Sequence, residues 1–396
     1  MMVWKKDIFN NFIKLNRGFD LPEKHIISGD FPVVASTAIK AYHHTYKVEP
    51  PCVVTGRSGS LGTVQYVTSR CWPLNTTLYV KDYKGNLPRY VYYFLETMHL
   101  DNFNSGAGVP TLNQNHLHKL KIRVPQFHIQ ERIAAILSAY DDLIENNNRR
   151  IAILEKMAEE LYREWFVRLR FPGYEKVKIV KGMPEEWEVK RIGEVVSFKY
   201  GFTESAIEDN QYPKFLRVMD INKASYIKWS EVPNCKIDEN TKEKYELKRD
   251  DLVIARMASP GKVAIVERDI NAVFASYLIK LSLRKEALKP YYIFYTLRSD
   301  YYQGLFTNAD TSATRGNING QIISKFQIIV PPMELQSVFN TKITVIRNQL
   351  SNFVLQNEIL QMIRDRLLSR LMSGKINVEN MGIQFPASMQ EELAHA

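Results

Sequence analysis

The stretch QERIAAILSAYDDLIENNNRRIAILEKMAEELYREWF, residues 130–166, decides the fold. It contains neither proline nor glycine and is rich in Ala, Leu, Glu and Arg, so it predicts one long helix. Its apolar positions step alternately by four and three residues, which is typical of a coiled-coil seam rather than of a helix lying on a core. The seam positions are Ile133, Leu137, Tyr140, Ile144, Asn147, Ile151, Leu154, Ala158, Leu161 and Trp165.

A second seam with the same alternation follows 206 residues later. Its positions are Phe339, Ile343, Ile346, Leu350, Phe353, Asn357, Leu360, Arg364, Leu367 and Leu371. If the two helices pair antiparallel and flush, residues whose numbers sum to 504 face each other, which places Asn147 opposite Asn357. Two facing amides can bond each other and thereby disfavour other registers. We predict this Asn147–Asn357 layer; the alternative is that each Asn faces its own domain or solvent.

The repeat also includes the segments that precede the two helices, and its matches keep their order along the chain. The matched segments are Trp4 with Trp187, Gly18-Phe19 with Gly201-Phe202, VVTGRSGSLGTV (53–64) with LVIARMASPGKV (252–263), and TLNQNHLHKLKIRVP (111–125) with NINGQIISKFQIIVP (317–331). The offset grows from 183 to 206, so the second copy carries insertions, mostly before residue 252. Short β-branched runs separated by Gly-rich turns predict that each copy is a globular α+β unit followed by its long helix.

The net charge of +10 and the pI of about 9.2 indicate an anionic partner. Residues 1–128 hold 15 Lys and Arg against 8 Asp and Glu, while residues 185–332 hold 22 against 20. The excess therefore lies in segments that look folded, as a surface contacting phosphates requires. The alternative is a merely basic surface. Residues 133–165 would span roughly 48 Å at 1.5 Å per residue, more than one turn of B-DNA, so the helices could hold two DNA-reading units apart.

Loop side chains that are basic, hydroxyl-bearing or amide-bearing suit contacts with phosphates and base edges. The repeated loops 56–62 and 256–261 carry Arg57 and Arg256 at equivalent places, and polar loops at 105–115 and 311–319 precede the last strand of each copy. The alternatives are solvated arginines on tight turns and helix-capping or turn roles for the Asn residues. The candidate DNA-binding residues are Arg57, Ser58, Ser60, Thr111, Asn113, Arg256, Ser259, Lys262, Arg315 and Asn317.

The sequence carries no catalytic signature. It lacks a G-x-x-x-x-G-K-[ST] phosphate loop, a cofactor fingerprint and the Asn/Asp-Pro-Pro-aromatic tetrapeptide of amino-methyltransferases. Three cysteines form no metal-type pair, and seven of the eight histidines precede residue 129 without Cys or acidic neighbours at metal spacing. We predict a non-catalytic chain with no metal and no bound cofactor. Because no apolar run reaches about 18 residues and the N-terminus has no signal core, we expect a cytoplasmic protein without a membrane segment.

Three segments carry a resemblance to a known family. They are the strand–Pro–helix junctions KLKIRVPQFHIQERIAAIL (119–137) and KFQIIVPPMELQSVF (325–339), and GMPEEWEVKRIGEVV (182–196). Together they resemble the specificity subunits of Type I restriction–modification systems, over nearly the whole chain. In that family a Pro-x-x-Trp segment opens each recognition domain, and an I-x-I-P-P-x-x-x-Q segment leads into the long helix. Gln130 and Gln336 stand at that Gln; the first copy lacks the Pro-Glu lead, and Gln126 replaces its second Pro.

The resemblance implies an α+β fold: two tandem α/β target-recognition domains separated by two long antiparallel coiled-coil helices, with pseudo-two-fold symmetry. Each domain would read one half of a bipartite, asymmetric double-stranded DNA target. Two adenine-N6 methyltransferase subunits holding S-adenosylmethionine would dock mainly through the helices, and a motor-nuclease subunit could join them. The predicted segments are recognition domain 1 at 1–128, spacer helix 1 at 129–168, a linker at 169–184, recognition domain 2 at 185–332, spacer helix 2 at 333–373 and a polar C-terminal tail at 374–396.

Two other functions fit the same sequence. The first keeps the DNA reader but makes it the specificity chain of a Type IIB-like enzyme with a fused nuclease–methyltransferase partner. The second is a tandem coiled-coil scaffold that ignores DNA, which predicts no salt-dependent affinity for duplex.

Overall fold

The computed structural model describes residues 4–394 apart from 107, 285–286 and 313–317. Its contacts divide the chain into two units, Met1–Glu145 with Ile359–Ala396, and Asn146–Glu358. The strands in the described residues are β1 Trp4–Ile8, β2 Lys14–Arg17, β3 Phe31–Val34, β4 Ile39–His43, β5 Cys52–Gly56, β6 Val64–Val67, β7 Trp72–Pro73, β8 Thr77–Asp82, β9 Lys121–Pro125, β10 Ile179–Val180, β11 Met183–Pro184, β12 Glu188–Arg191, β13 Val196–Tyr200, β14 Lys214–Leu216, β15 Leu252–Ala255, β16 Val263–Ile265, β17 Ala272–Phe274, β18 Leu278–Leu283 and β19 Gln327–Val330.

The helices show the same duplication as the strands. In the described residues they are α1 Phe9–Phe12, α2 Pro88–Thr97, α3 Gln114–Leu117, α4 Phe127–Tyr162, α5 Ile192–Val195, α6 Val218–Ile221, α7 Glu239–Tyr245, α8 Pro290–Arg298, α9 Asp300–Ser312, α10 Gly320–Lys325, α11 Met333–Met372 and α12 Ala387–Ala394. A π-helical turn over Arg163–Val167 extends α4. The two long predicted helices are therefore present, and each contributes residues to both units.

The sheets show that the sequence repeat is a structural repeat. The first unit has a four-stranded sheet in the order β2-β8-β5-β6, and the second has β13-β18-β15-β16 in the same arrangement. In each copy the opening strand pairs antiparallel with the strand before the long helix, β1 with β9 and β12 with β19. In the chain, α2 follows β8 and α8 follows β18, and each of these two helices begins with proline. The predicted mixed α+β fold with two domains and long helices is confirmed.

The repeated glycines Gly18 and Gly201 are fixed by a close approach of two chain segments. A Cβ added to Gly18 would lie 2.2 Å from the carbonyl oxygen of Leu74, and one added to Gly201 would lie 2.2 Å from that of Ala275. Real Cβ atoms do not approach a carbonyl oxygen so closely, so only glycine fits. The Gly-Phe match in the sequence therefore reports backbone packing rather than DNA contact.

The C-terminal segment, which looks polar in sequence, is part of the first unit. Val378 and Met389 are buried there in the same apolar core as Ile133 and Leu371. The guanidinium of Arg132 on α4 donates to the carbonyl oxygens of Val378 and Met381, at 3.2 and 2.7 Å. Scattered apolar residues thus attach this segment to the helix pair. In the part of the chain that the structure describes, no helix combines the length and the apolarity that a membrane crossing demands.

Candidate DNA-recognition loops and the helix pair

Arg57 lies where three loops of the first unit meet. Its backbone N–H donates to the carbonyl oxygen of Thr76 at 2.8 Å, and its own carbonyl accepts from the N–H of Leu112 at 2.8 Å. Ser58 and Thr111 form an isolated antiparallel bridge beside it. The structure therefore brings the predicted loops 56–62 and 105–115 together beside the end of β5.

Arg256 occupies the same place in the second unit. Its N–H donates to the carbonyl oxygen of Tyr277 at 2.9 Å, and its carbonyl accepts from the N–H of Ile318 at 3.0 Å. The guanidinium carbon lies 5.0 Å from the centre of the Tyr200 ring, which stacks with the cation. Matching backbone bonds at Arg57 and Arg256 show that the repeat preserves the framework of these loops.

Positive charge is concentrated around Arg57. Its Nε donates to the carbonyl oxygen of Asn75 at 3.1 Å, and Nε of Arg17 donates to that same oxygen at 3.4 Å. Burial, and then the positive charge of Arg17, hold the pKa of Arg57 below its ordinary value. Two guanidinium groups that share one carbonyl oxygen form an electropositive site suited to an anion such as a phosphate.

The remaining predicted residues fall in different settings. Ser60 and Lys262 are exposed, and Ser259 is half-buried in the loop after Arg256. Asn113 caps α3, because its side-chain oxygen accepts from the N–H of Asn115 at 2.9 Å. A bidentate contact between Asn113 and adenine would have to replace this cap. Arg315 and Asn317 lie outside the described residues.

The repeat-equivalent residue Asn319 also caps a helix, with its oxygen accepting from the N–H of Ile322 at 2.9 Å. A side-chain oxygen that accepts an orphan N–H at a helix start stabilises that helix. Capping therefore accounts for the Asn113/Asn319 match without any contact to DNA.

Gln130 and Gln336, the glutamines of the strand–Pro–helix junctions, have equivalent structural roles. The side-chain oxygen of Gln130 accepts from the N–H of Leu87 at 3.1 Å, and that of Gln336 accepts from the N–H of Lys289 at 2.9 Å. Both glutamines are buried. Because α2 and α8 begin at the next residue in each case, these side chains supply the caps that the two helices lack locally.

The structure places Asn147 and Asn357 together, where the 504 register predicts them. Nδ2 of Asn147 donates to Oδ1 of Asn357 at 3.0 Å, and Nδ2 of Asn357 donates to Oδ1 of Asn148 at 2.8 Å. In the second unit the rings of Trp165 and Phe339 lie 5.8 Å apart, again as the register requires. The helix segments of this unit are therefore antiparallel and in the expected phase.

Arg364, a charged residue at a seam position, has a partner in the first unit. Its Nη1 donates to Oδ1 of Asp141 at 2.8 Å, and the second carboxylate oxygen of Asp141 accepts from the hydroxyl of Tyr93. This pair explains why a seam can hold an arginine. Sequence periodicity marks the position of Arg364 but does not identify a partner more than 200 residues away.

These observations define a class of protein: a duplicated α+β chain whose two copies present equivalent arginine-bearing loops and are each followed by a long helix. A family model described as the Type I restriction modification DNA specificity domain matches residues 5–156 and again 184–365. The chain belongs to this family and is a Type I restriction–modification specificity subunit with tandem recognition domains. Specificity for a DNA sequence follows from that membership.

Individual proteins agree with the family assignment. The chain is 29% identical over 314 residues to the Type I restriction enzyme MjaIX specificity subunit of Methanocaldococcus jannaschii, covering 75% of this chain and 71% of the relative. It is 25% identical over 324 residues to the MjaVIII specificity subunit of the same organism, covering 78% and 75%. The crystal structure of the Type I S subunit from M. genitalium superposes with a TM-score of 0.61 over 93% of this chain and 96% of that one, at 16% identity, which shows a shared fold.

Proposed function

We propose that this chain is a non-catalytic subunit that reads a bipartite, asymmetric DNA target in the cytoplasm, one half with each recognition domain. The observation that carries the proposal is the repeated position of Arg57 and Arg256, each fixed by matching backbone bonds at the meeting point of polar loops. A rigid scaffold that presents a cation on loops suits contacts with phosphates and guanine edges. The first domain also holds most of the excess positive charge.

The proposal includes partners that supply the chemistry. Two methyltransferase subunits, which hold S-adenosylmethionine, would methylate adenine N6 in the target, and a motor-nuclease subunit would join them for restriction. Each long helix carries an exposed apolar pair off the seam: Ile153 and Met157 are 59% and 51% exposed, and Ile359 and Ile363 are 45% and 38% exposed. Ile359 and Ile363 lie 206 residues after Ile153 and Met157, so the two pairs occupy equivalent positions of the repeat. Equivalent apolar pairs at i and i+4 suit two copies of one partner.

Glutamate substitutions test this docking surface. We expect Ile153→Glu to weaken binding of one methyltransferase subunit by about tenfold or more, since burying an unpaired carboxylate opposes apolar contact. Ile359→Glu should weaken the other subunit to a similar degree, so native mass spectrometry should show 1:1 complexes for each single variant. Tyr301→Glu, which changes a 67% exposed aromatic side chain outside the long helices, is the matched control. An unchanged 2:1 assembly in both variants would contradict the surface.

Mapping of methylated adenines tests the function as a whole. The chain is co-expressed with the methyltransferase subunit of its own system in a host that lacks other adenine methylation, and the genome is sequenced for N6-methyladenine. We expect one motif made of two specified halves separated by unspecified bases. A contiguous, unsplit motif, or methylation that does not depend on this chain, would overturn the proposal.

A further inference from the structure

The second recognition domain contains a segment longer than its counterpart in the first. The repeat offset is 183 at Gly18 and Gly201 but 199 at Val53 and Leu252, so about 16 residues are added between these points. In the structure the addition lies between β14 and β15, in residues 217–251. The apolar residues Ile227 and Trp229 anchor this segment on the domain core.

Arg347 of α11 joins this added segment to the domain and to the helix. Its side chain is completely buried. Nε and Nη2 donate to the two carboxylate oxygens of Glu267, at 2.6 and 2.7 Å. Nη1 donates to the hydroxyl of Ser225 at 2.7 Å, and Nη2 donates to the carbonyl oxygen of Ser225 at 2.9 Å. A planar guanidinium bonded on two sides fixes direction as well as distance.

The same segment is bonded to further residues of the helix pair. The N–H of Ser225 donates to Oε1 of Glu155 on α4 at 3.1 Å, and its hydroxyl donates to the same oxygen. The hydroxyl of Ser230 donates to Oε1 of Glu358 on α11 at 2.9 Å. One short stretch of the domain is thus held by acidic or basic groups from both long helices.

The first copy uses different chemistry at the equivalent helix position. Asp141 lies 206 residues before Arg347 and has the opposite charge. It bonds Tyr93 of the domain helix α2 and Arg364 of α11. The network of Arg347, Ser225, Glu267 and Glu155, called the brace below, is therefore a feature of the second domain and not a product of the duplication.

We infer that the brace is a positioning device: it fixes the angle of the second recognition domain on the helix pair and so sets the number of unspecified bases that the target must contain. The inference rests on the proposed bipartite target. One added base pair moves a half-site by about 3.4 Å and rotates it by about 35° about the duplex axis. A buried, multiply bonded arginine resists such a rotation, whereas an apolar contact of similar volume is non-directional and tolerates it.

The test separates positioning from stability. Arg347→Met combined with Glu267→Met replaces the buried ions with side chains of similar volume, an exchange that often leaves stability unchanged or higher. Plasmids carry the mapped target with its native spacer and with spacers one base pair shorter and longer, and methylation is measured at all three with the intact multisubunit enzyme. We expect wild type to favour the native spacer by about tenfold or more. The double variant should favour it by about threefold or less.

Controls keep the outcomes distinct. Ile323→Ala makes a cavity in a different apolar cluster of the second unit from the one that anchors residues 217–251, and it should lower total methylation while keeping the spacer ratio. If the double variant does not fold, Ser225→Ala replaces it, because that change removes only the hydroxyl link between Arg347 and Glu155. A wild-type spacer ratio in the folded variant would overturn the inference. The absence of any bipartite motif with wild type would instead overturn the proposed function.

Discussion

Arg347→Met alone is expected to destabilise the second unit by about 3–5 kcal/mol, because it leaves the largely buried carboxylate of Glu267, whose side chain is 11% exposed, without its cation. Burial by itself would lower the pKa of Arg347, but the Glu267 charge and hydrogen bonds outweigh it and raise that pKa above its ordinary value. The ion pair is therefore retained in the folded state. Tyr291, whose hydroxyl donates to Glu267 at 3.1 Å, would remain as a single neutral partner.

The measurement has to be local because the chain contains two units that need not unfold together. Amide hydrogen exchange of β15 and β18 reports the opening free energy of the second unit, and exchange of β5 and β8 serves as the internal reference. We expect only the first pair to lose protection in Arg347→Met. Arg347→Lys should recover part of the loss, since an ammonium keeps the charge but not the two-sided geometry. A loss below about 1 kcal/mol would mean that Glu267 finds another partner or water.

The parts of the fold that the sequence predicts are those with a local or repeated signal. The four-three alternation identifies the long helices and their phase, because side chains at those spacings share one face. The position of Asn147 opposite Asn357 follows from that phase together with flush antiparallel pairing. Similarly, the Arg57 and Arg256 loops stand out because the same residues recur in the same order.

The brace gives no such signal. Arg347 contacts Glu267, 80 residues away, and Ser225, which is 122 residues away and lies in the segment that is longer in the second copy. Neither periodicity nor the repeat can pair residues that occur once. The burial of Val378 and Met389 is missed for a related reason, since isolated apolar residues in a polar stretch resemble a tail.

The repeated arginines and the repeated asparagines differ in which of their atoms the fold uses. The oxygens of Asn113 and Asn319 are engaged in helix caps, so their recurrence is explained by folding. The backbones of Arg57 and Arg256 hold the loops in place, and the contacts of their side chains include a carbonyl oxygen for Arg57 and an aromatic ring for Arg256. A phosphate or guanine can compete for a guanidinium held in this way without dismantling the loop.

Arg57→Ala is therefore expected to impair recognition of one half-site and Arg256→Ala recognition of the other, each by about 10- to 100-fold, the range of a lost bidentate contact with a base. Binding is measured at fixed salt on the mapped target, on the target with its first half scrambled and on the target with its second half scrambled. If Arg57 reads a base, the variant loses the preference for its own intact half and keeps the preference for the other half. If Arg57 holds a phosphate instead, affinity falls for all three duplexes and the salt dependence weakens.

Arg70→Ala is the matched control for the first domain, because Arg70 is an exposed arginine paired with Glu49 at 3.0 Å. It should leave both half-site preferences intact, since an exposed ion pair contributes little to stability. If Arg57→Ala loses the preference for both half-sites, the variant has a folding defect and the result does not report a lost contact with DNA. Normal preference for both halves in Arg57→Ala and in Arg256→Ala would remove these loops from the interface.

The two half-sites are expected to respond differently to salt. In the first domain a second guanidinium, that of Arg17, lies beside Arg57, whereas in the second domain Arg256 stacks on the ring of Tyr200. We therefore expect the half read by the first domain to show the steeper dependence on salt.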